Sequence, residues 1–329
     1  MRQEVTRRAH QGTLPKTPRL QVVLDYHVHL WPHHDKADPL EHRLEELERY
    51  CEDAAKAGVE EIALTEHFFR FRAGRAVVDG FWANEPDPAL RASIAEYFDH
   101  HATAELDDYV EAALTAKAAG LPIRLGLEVD YYPGQMDKVA ALLAGYPFDV
   151  LLGSVHWLGT WMFDDLSSEV AQAEWARRGI EATWRAYANA IEELAATRAV
   201  DVLAHPDLVK VAGYRPDAGL VRECEERIAE AAGTSGIAAE LSSAGWRKPA
   251  AEAYPSASLL ARFFERSVPL TTASDTHGRG DVASRSGELA EAAEAAGYDS
   301  LRAFTAREGR DVALRGARPP QGHDAAVER

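Results

Sequence analysis

A chain of 329 residues, 46% hydrophobic and 27% charged, can bury a large core as one barrel or as two smaller domains. Its formal net charge of −17 argues against a nucleic-acid partner, because binding a phosphate backbone needs a basic surface. Only two cysteines, no run of about 18 apolar residues and a polar N-terminus argue against a disulfide framework, a membrane span and a signal peptide, so a cytoplasmic protein is expected.

Residues 1–19 are basic and polar and are expected to form a disordered arm. From there a pattern repeats, in which a short apolar run ends in polar or histidine-bearing residues and is followed by a helical stretch. Run 22–24 ends in Asp25-Tyr26-His27-Val28-His29. A helix over 40–57 follows, with Leu40, Leu44, Leu47, Tyr50, Cys51 and Ala54 on one face and Gly58 as its stop. Run 62–64 ends in Thr65-Glu66-His67. Residues 70–105 are aromatic and turn-rich, too long for a plain connection, and read as a lid-like insertion. A helix over 106–119 stops at Gly120, and run 123–127 leads to Glu128.

Run 150–152 ends in Gly153-Ser154-Val155-His156, after which Trp157, Trp161 and Phe163 either wall a pocket or pack. A helix is expected over 175–197, and run 200–203 ends in Ala204-His205-Pro206. A helix over 219–232 precedes run 237–241, which lacks a histidine and ends in Ser-Ser-Ala-Gly-Trp-Arg247. After a helix over 255–267, run 270–273 ends in Ser274-Asp275-Thr276-His277. Residues 317–329 read as a flexible tail, leaving 20–316 as a single domain.

Strand and helix alternating about seven times imply parallel strands, and unbroken apolar runs imply a sheet covered on its outer face. An open doubly wound sheet would also alternate, but only strands beside its switch point share a crevice. Six strand ends that must meet in one place require a closed barrel with the site at its C-terminal mouth. A seven-stranded (βα)7 barrel is expected.

His27 and His29 stand two apart on extended chain, so both imidazoles point the same way and can chelate one ion. Asp275 and His277 repeat that spacing on the last strand. Glu128 is a lone acid in an apolar run, needs a cation or partner to stay ionised, and can bridge two ions. His67, His156 and His205 supply one donor each. Any one of these could be an ordinary hydrogen-bonded histidine, but six strand ends behaving alike indicate a polynuclear metal site. Mixed imidazole and carboxylate donors accept zinc, iron or manganese. His10, His42, His100, His101 and His323 lack such contexts and are expected to face solvent.

Taken in order, Asp-Tyr-His-Val-His, Leu-Thr-Glu-His, Gly-Leu-Glu, Gly-Ser-Val-His, Ala-His-Pro and Ser-Asp-Thr-His resemble the motifs of the PHP (polymerase and histidinol phosphatase) superfamily over about residues 21–285. Glu240-Leu-Ser-Ser-Ala-Gly-Trp-Arg-Lys-Pro with Tyr254-Pro255-Ser256 is similar to a signature of its histidinol-phosphatase branch. The resemblance implies a distorted, TIM-like (βα)7 barrel holding three divalent metals. One would take His27, His29, Glu128 and Asp275; a second would share Glu128 and add His156 and His205. The third would use His67, His277 and a residue after His29, where the loop is shortened: His33 is the first choice, then His34 and Asp35.

The implied activity is hydrolysis of a small phosphomonoester, most simply histidinol phosphate, by metal-activated hydroxide. Glu128, His205, Asp275 and His277 would be the catalytic groups, with His205, His277 or Asp207 protonating the leaving oxygen. Arg247, with Lys248, suits phosphate, and Lys210 and Arg215 are weaker candidates for that role. Competing readings are another small phosphoester substrate, an amidohydrolase-type C–N hydrolase with an eight-stranded barrel, and a non-catalytic module. The oligomeric state is left open.

Overall fold

The computed structural model describes residues 23–32 and 42–314. The expected N-terminal arm, the C-terminal tail and the candidate ligands His33, His34 and Asp35 lie outside them. Among the described residues seven parallel strands form one sheet: β1 (Val23–Val28), β2 (Val59–Leu64), β3 (Ile123–Asp130), β4 (Val150–Ser154), β5 (Val202–Leu203), β6 (Ala238–Ser242) and β7 (Leu270–Ala273). They lie side by side in chain order, the arrangement right-handed crossovers give when each strand is added to one edge. Each carries one of the apolar runs, and β4, β5, β6 and β7 are buried throughout.

The sheet curls until its last strand meets its first. Val28 bridges Thr276 in parallel, the His29 amide donates to the Thr276 carbonyl at 2.9 Å, and Thr272 Oγ1 donates to the Leu24 carbonyl at 2.6 Å. Asp25 fixes the same seam. Its buried carboxylate accepts from the Ser274 amide, the Ser274 hydroxyl and the Ala283 amide, each at 2.7 Å. Burial pushes its carboxyl upward, and the Ser274 bonds pull it back. The result is the expected distorted (βα)7 barrel.

Helices cover the outside: α1 (Leu44–Lys56), α2 (Arg72–Val78), α3 (Pro88–His101), α4 (Leu106–Ala118), α5 (Met136–Leu143), α6 (Glu169–Arg178), α7 (Ile180–Thr197), α8 (Ala218–Ser235), α9 (Ala257–Glu265) and α10 (Ser286–Ala296). α1 buries Leu47, Tyr50, Cys51 and Ala54, the face read from its spacing. The stretch expected as one helix over 175–197 is two, because Gly179 at φ +80° ends α6 and opens α7. Gly153 in β4 serves close packing, since a Cβ there would meet Val200 Cγ2 at 2.5 Å.

Residues 70–105 contribute α2 and α3, and their aromatics are built into the core. Phe69 packs on Tyr97, Trp82 on Phe98 and Tyr97 on Trp157, with ring centroids 4.9–5.4 Å apart. Trp157, Trp161 and Phe163 are at most 2% exposed, which resolves their two readings in favour of packing. His101 was expected in solvent and is instead buried, its ring 4.3 Å from that of Tyr97.

A hairpin not anticipated from sequence, β8 (Ser300–Thr305) with β9 (Glu308–Ala313), closes the N-terminal mouth. The Phe304 amide donates to Tyr26 Oη at 3.1 Å, and Arg307 pairs with Asp201 at 2.9 Å. No helix among the described residues is long and apolar enough to cross a membrane.

Candidate metal centre

Glu128 is fully buried on β3 and is the hub at the C-terminal mouth. Its carboxylate lies 2.6 Å from His67 Nδ1, 3.0 Å from His205 Nε2, 3.4 Å from His27 Nε2, 3.5 Å from His156 Nε2 and 3.6 Å from His29 Nε2. Asp275 Oδ1 stands 3.8 Å from His27 Nε2 and 3.7 Å from His29 Nε2, and His277 Nε2 stands 3.2 Å from His67 Nε2. Eight of the nine side chains singled out as ligands are thus brought together; the ninth, His33, is outside the described residues.

These donors group into four overlapping sets, each with atoms within 4.8 Å of one another: His27, His29 and Asp275; His27, Glu128 and His205; His67, Glu128 and His156; and His29, His67 and His277. Shared members are what a polynuclear centre requires. Nε2 of His27, Nε2 of His29 and Oε2 of Glu128 are buried with no hydrogen bond to satisfy them. Orphaned donors and acceptors facing one another carry a large desolvation cost that a cation removes. Distances and chemistry both fit divalent ions with imidazole and carboxylate ligands.

The backbone is bent to present these groups. His205 has φ +27° and Asp275 φ +51°, left-handed values that cost non-glycine residues of order 1 kcal/mol and persist where surroundings enforce them. Arg247 enforces the second, its Nη2 donating to the Ser274 and Asp275 carbonyls at 2.8 and 2.9 Å.

Three further carboxylates stand behind the imidazoles and were missed as site residues from sequence. Glu240 accepts from His27 Nδ1 at 2.8 Å and from the His205 amide at 3.2 Å. Asp130 lies 2.6 Å from His156 Nδ1, and Glu66 lies 3.6 Å from His29 Nδ1 while accepting from the Leu30 and Trp31 amides. Such partners orient an imidazole and keep its other nitrogen free for an ion. The signal was present: Glu240 is a lone acid in an apolar run, as Glu128 is, and Asp130 follows Glu128 by the two residues that return to one strand face.

Electrostatics follow from that layout. Burial raises the carboxyl of Glu66 to about 7, with Arg70 opposing. Burial works against a charge on His156, yet Asp130 and Glu128 outweigh it and push its pKa up to about 10. Glu128 is buried too, but His67, His27 and His156 hold it well below the usual carboxylate range.

A cleft of about 290 Å³ opens onto the centre. Its lining includes His67, His156, His205, Asp275 and His277 together with Arg247 and Lys248. Lys210 and Arg215 do not line it. Lys210 is buried and spent on Asp207 at 2.7 Å and Glu252 at 2.9 Å, and Arg215 pairs with Glu252. Asp207 likewise turns to Lys210 and the Ser256 amide, leaving His205 and His277 as the proposed proton donors that line the cleft.

Residues 25–244 match the PHP domain. The chain belongs to the PHP domain family. A probable histidinol-phosphatase of Deinococcus radiodurans is 31% identical over 237 residues, spanning 72% of this chain and 82% of the relative. The crystal structure of Lactococcus lactis histidinol phosphate phosphatase, complexed with zinc, L-histidinol and phosphate, superposes with a TM-score of 0.65 at 20% identity, covering 88% of this chain and 98% of that one. A solved structure from Listeria monocytogenes gives 0.63 at 21% identity, covering 80% and 99%. This member of the PHP family keeps its donors on six strand ends, whereas β6 contributes the supporting acid Glu240 and leads into the loop bearing Arg247.

Proposed function

We propose that this chain is a metal-dependent phosphatase that hydrolyses histidinol phosphate to histidinol and phosphate. The observation that carries the proposal is the gathering of seven further donors around Glu128 beside a cleft that also holds Arg247 and Lys248. The 31% identical relative named histidinol-phosphatase supports the substrate. A C–N hydrolase of the amidohydrolase type is disfavoured by the seven-stranded barrel and by a glutamate at the bridging position.

Three divalent ions are the expected complement: one at His27, His29, Glu128 and Asp275, one at Glu128, His156 and His205, and one at His67 and His277 with a ligand from residues 33–35. Bound there, such ions supply an activated water and offset charge on the phosphoryl oxygens. The remaining work belongs to the chain. Arg247, braced by the Ser274 and Asp275 carbonyls, and Lys248 bind the phosphate and orient it. Glu240, Asp130 and Glu66 fix the imidazoles that face Glu128. His205 or His277 delivers a proton to the departing alkoxide.

The test is phosphate release from histidinol phosphate, other phosphomonoesters, phosphodiesters and amides by metal-loaded enzyme. Highest kcat/KM on histidinol phosphate is expected; a faster phosphodiester or amide would overturn the assignment. Arg247→Ala is expected to raise KM roughly 10-fold or more, the worth of a charge-assisted contact to phosphate. A change in thermal stability with KM intact would remove Arg247 from the binding role.

A further inference from the structure

We propose that Asp164 is the specificity carboxylate of the cleft, taking the cationic ammonium of an amino-bearing phosphomonoester. This deepens the phosphatase reading and rests on it. Asp164 lines the cleft alongside Arg247 and Lys248, but belongs to none of the donor sets around Glu128. Its Oδ1 is buried and has no hydrogen-bond partner among the described residues. An anionic oxygen out of water and unpaired is costly, and the missing partner is a donor brought by a ligand.

His156, His205 and Lys248 stand close enough to attract its charge, but none of them hydrogen-bonds Oδ1. The Nδ1 of His156 is already held by Asp130 at 2.6 Å. The position is also rigid. Phe163, fully buried just before it, donates its amide to the His156 carbonyl at 3.2 Å, and its own carbonyl accepts from Trp175 Nε1 at 2.8 Å. The aromatic packing of this loop therefore has a use, which is to aim one carboxylate at the cleft.

Apart from the candidate ligands and the exposed Asp281, which lies 3.9 Å from Arg247 Nε, the lining divides into three chemistries. Arg247 and Lys248 suit a phosphate, Leu208, Val211, Ala244 and Tyr254 suit a flat or aliphatic body, and Asp164 suits a cation. A small ester with phosphate at one end and ammonium at the other satisfies all three at once. An alkyl or aryl phosphate with no cationic group would leave Asp164 Oδ1 without a donor, which is how a site rejects an analogue that lacks a polar group.

The experiment compares kcat/KM on histidinol phosphate and on p-nitrophenyl phosphate, which has no cationic group, for metal-loaded wild type, Asp164→Asn and Asp164→Ala. Asp164→Asn is expected to lower the preference for histidinol phosphate by about 10- to 100-fold, carried mainly by KM. An unchanged preference, including equal losses on both esters, overturns the proposal. If one variant does not fold, the other decides. Should wild type favour another ester, the histidinol phosphate assignment fails by itself. Phosphoethanolamine against p-nitrophenyl phosphate then tests Asp164 by the same ratio, and a wild type inactive on every phosphomonoester removes both readings.

Discussion

Glu128→Gln is expected to lower kcat on histidinol phosphate by more than ~10³-fold, or about 4 kcal/mol of transition-state stabilisation, while leaving the fold in place. The amide is close to isosteric, so packing around β3 is unchanged. What is lost is the one anion within 3.6 Å of five imidazoles. An amide offers a single weak acceptor and a donor, and cannot bridge two cations. Circular dichroism and metal analysis check this: native-like spectra with reduced metal content are expected, and a variant that turns over at more than a tenth of the wild-type rate would sink the bridging role.

Glu240→Gln should weaken metal binding roughly 10- to 100-fold although this residue touches no ion in the proposed arrangement. The argument is one of tautomers. Glu240 accepts from both His27 Nδ1 and the His205 amide, so its acceptor-only carboxylate leaves His27 Nε2 as a lone pair facing Glu128 and Asp275. A glutamine must keep its oxygen toward the His205 amide and present its amino group to His27. Nδ1 then becomes an acceptor, and the proton moves to Nε2, where the ligand lone pair is needed. Competition against a chromogenic chelator reads the affinity. A structural role alone would lower the melting temperature of metal-free protein and leave affinity untouched.

Much of this was legible because the barrel and its site use the same residues. The apolar runs marked the strands, their ends marked the mouth, and the acids and imidazoles there are meaningful only if the strands close. Ligand positions on strands are fixed by the pleat, so His27 with His29 and Asp275 with His277 could be paired by spacing. Positions set by tertiary packing could not. His101 has the sequence context of a surface histidine at the end of α3, yet Tyr97 and Phe69 cover it. The hairpin of β8 and β9 gave no turn signal, because Ala306 and Arg307 occupy the left-handed turn positions where asparagine or glycine is usual. Arg247 was read as a phosphate ligand, and its grip on the Ser274 and Asp275 carbonyls became visible only once β6 and β7 were neighbours.

The most direct measurement is elemental analysis of protein purified without added metal, together with the Glu128→Gln variant. Close to three tightly held divalent ions per wild-type chain, and a marked loss in the variant, are expected. A wild-type protein that hydrolyses histidinol phosphate at full rate with less than one ion per chain, after chelation, would contradict the account.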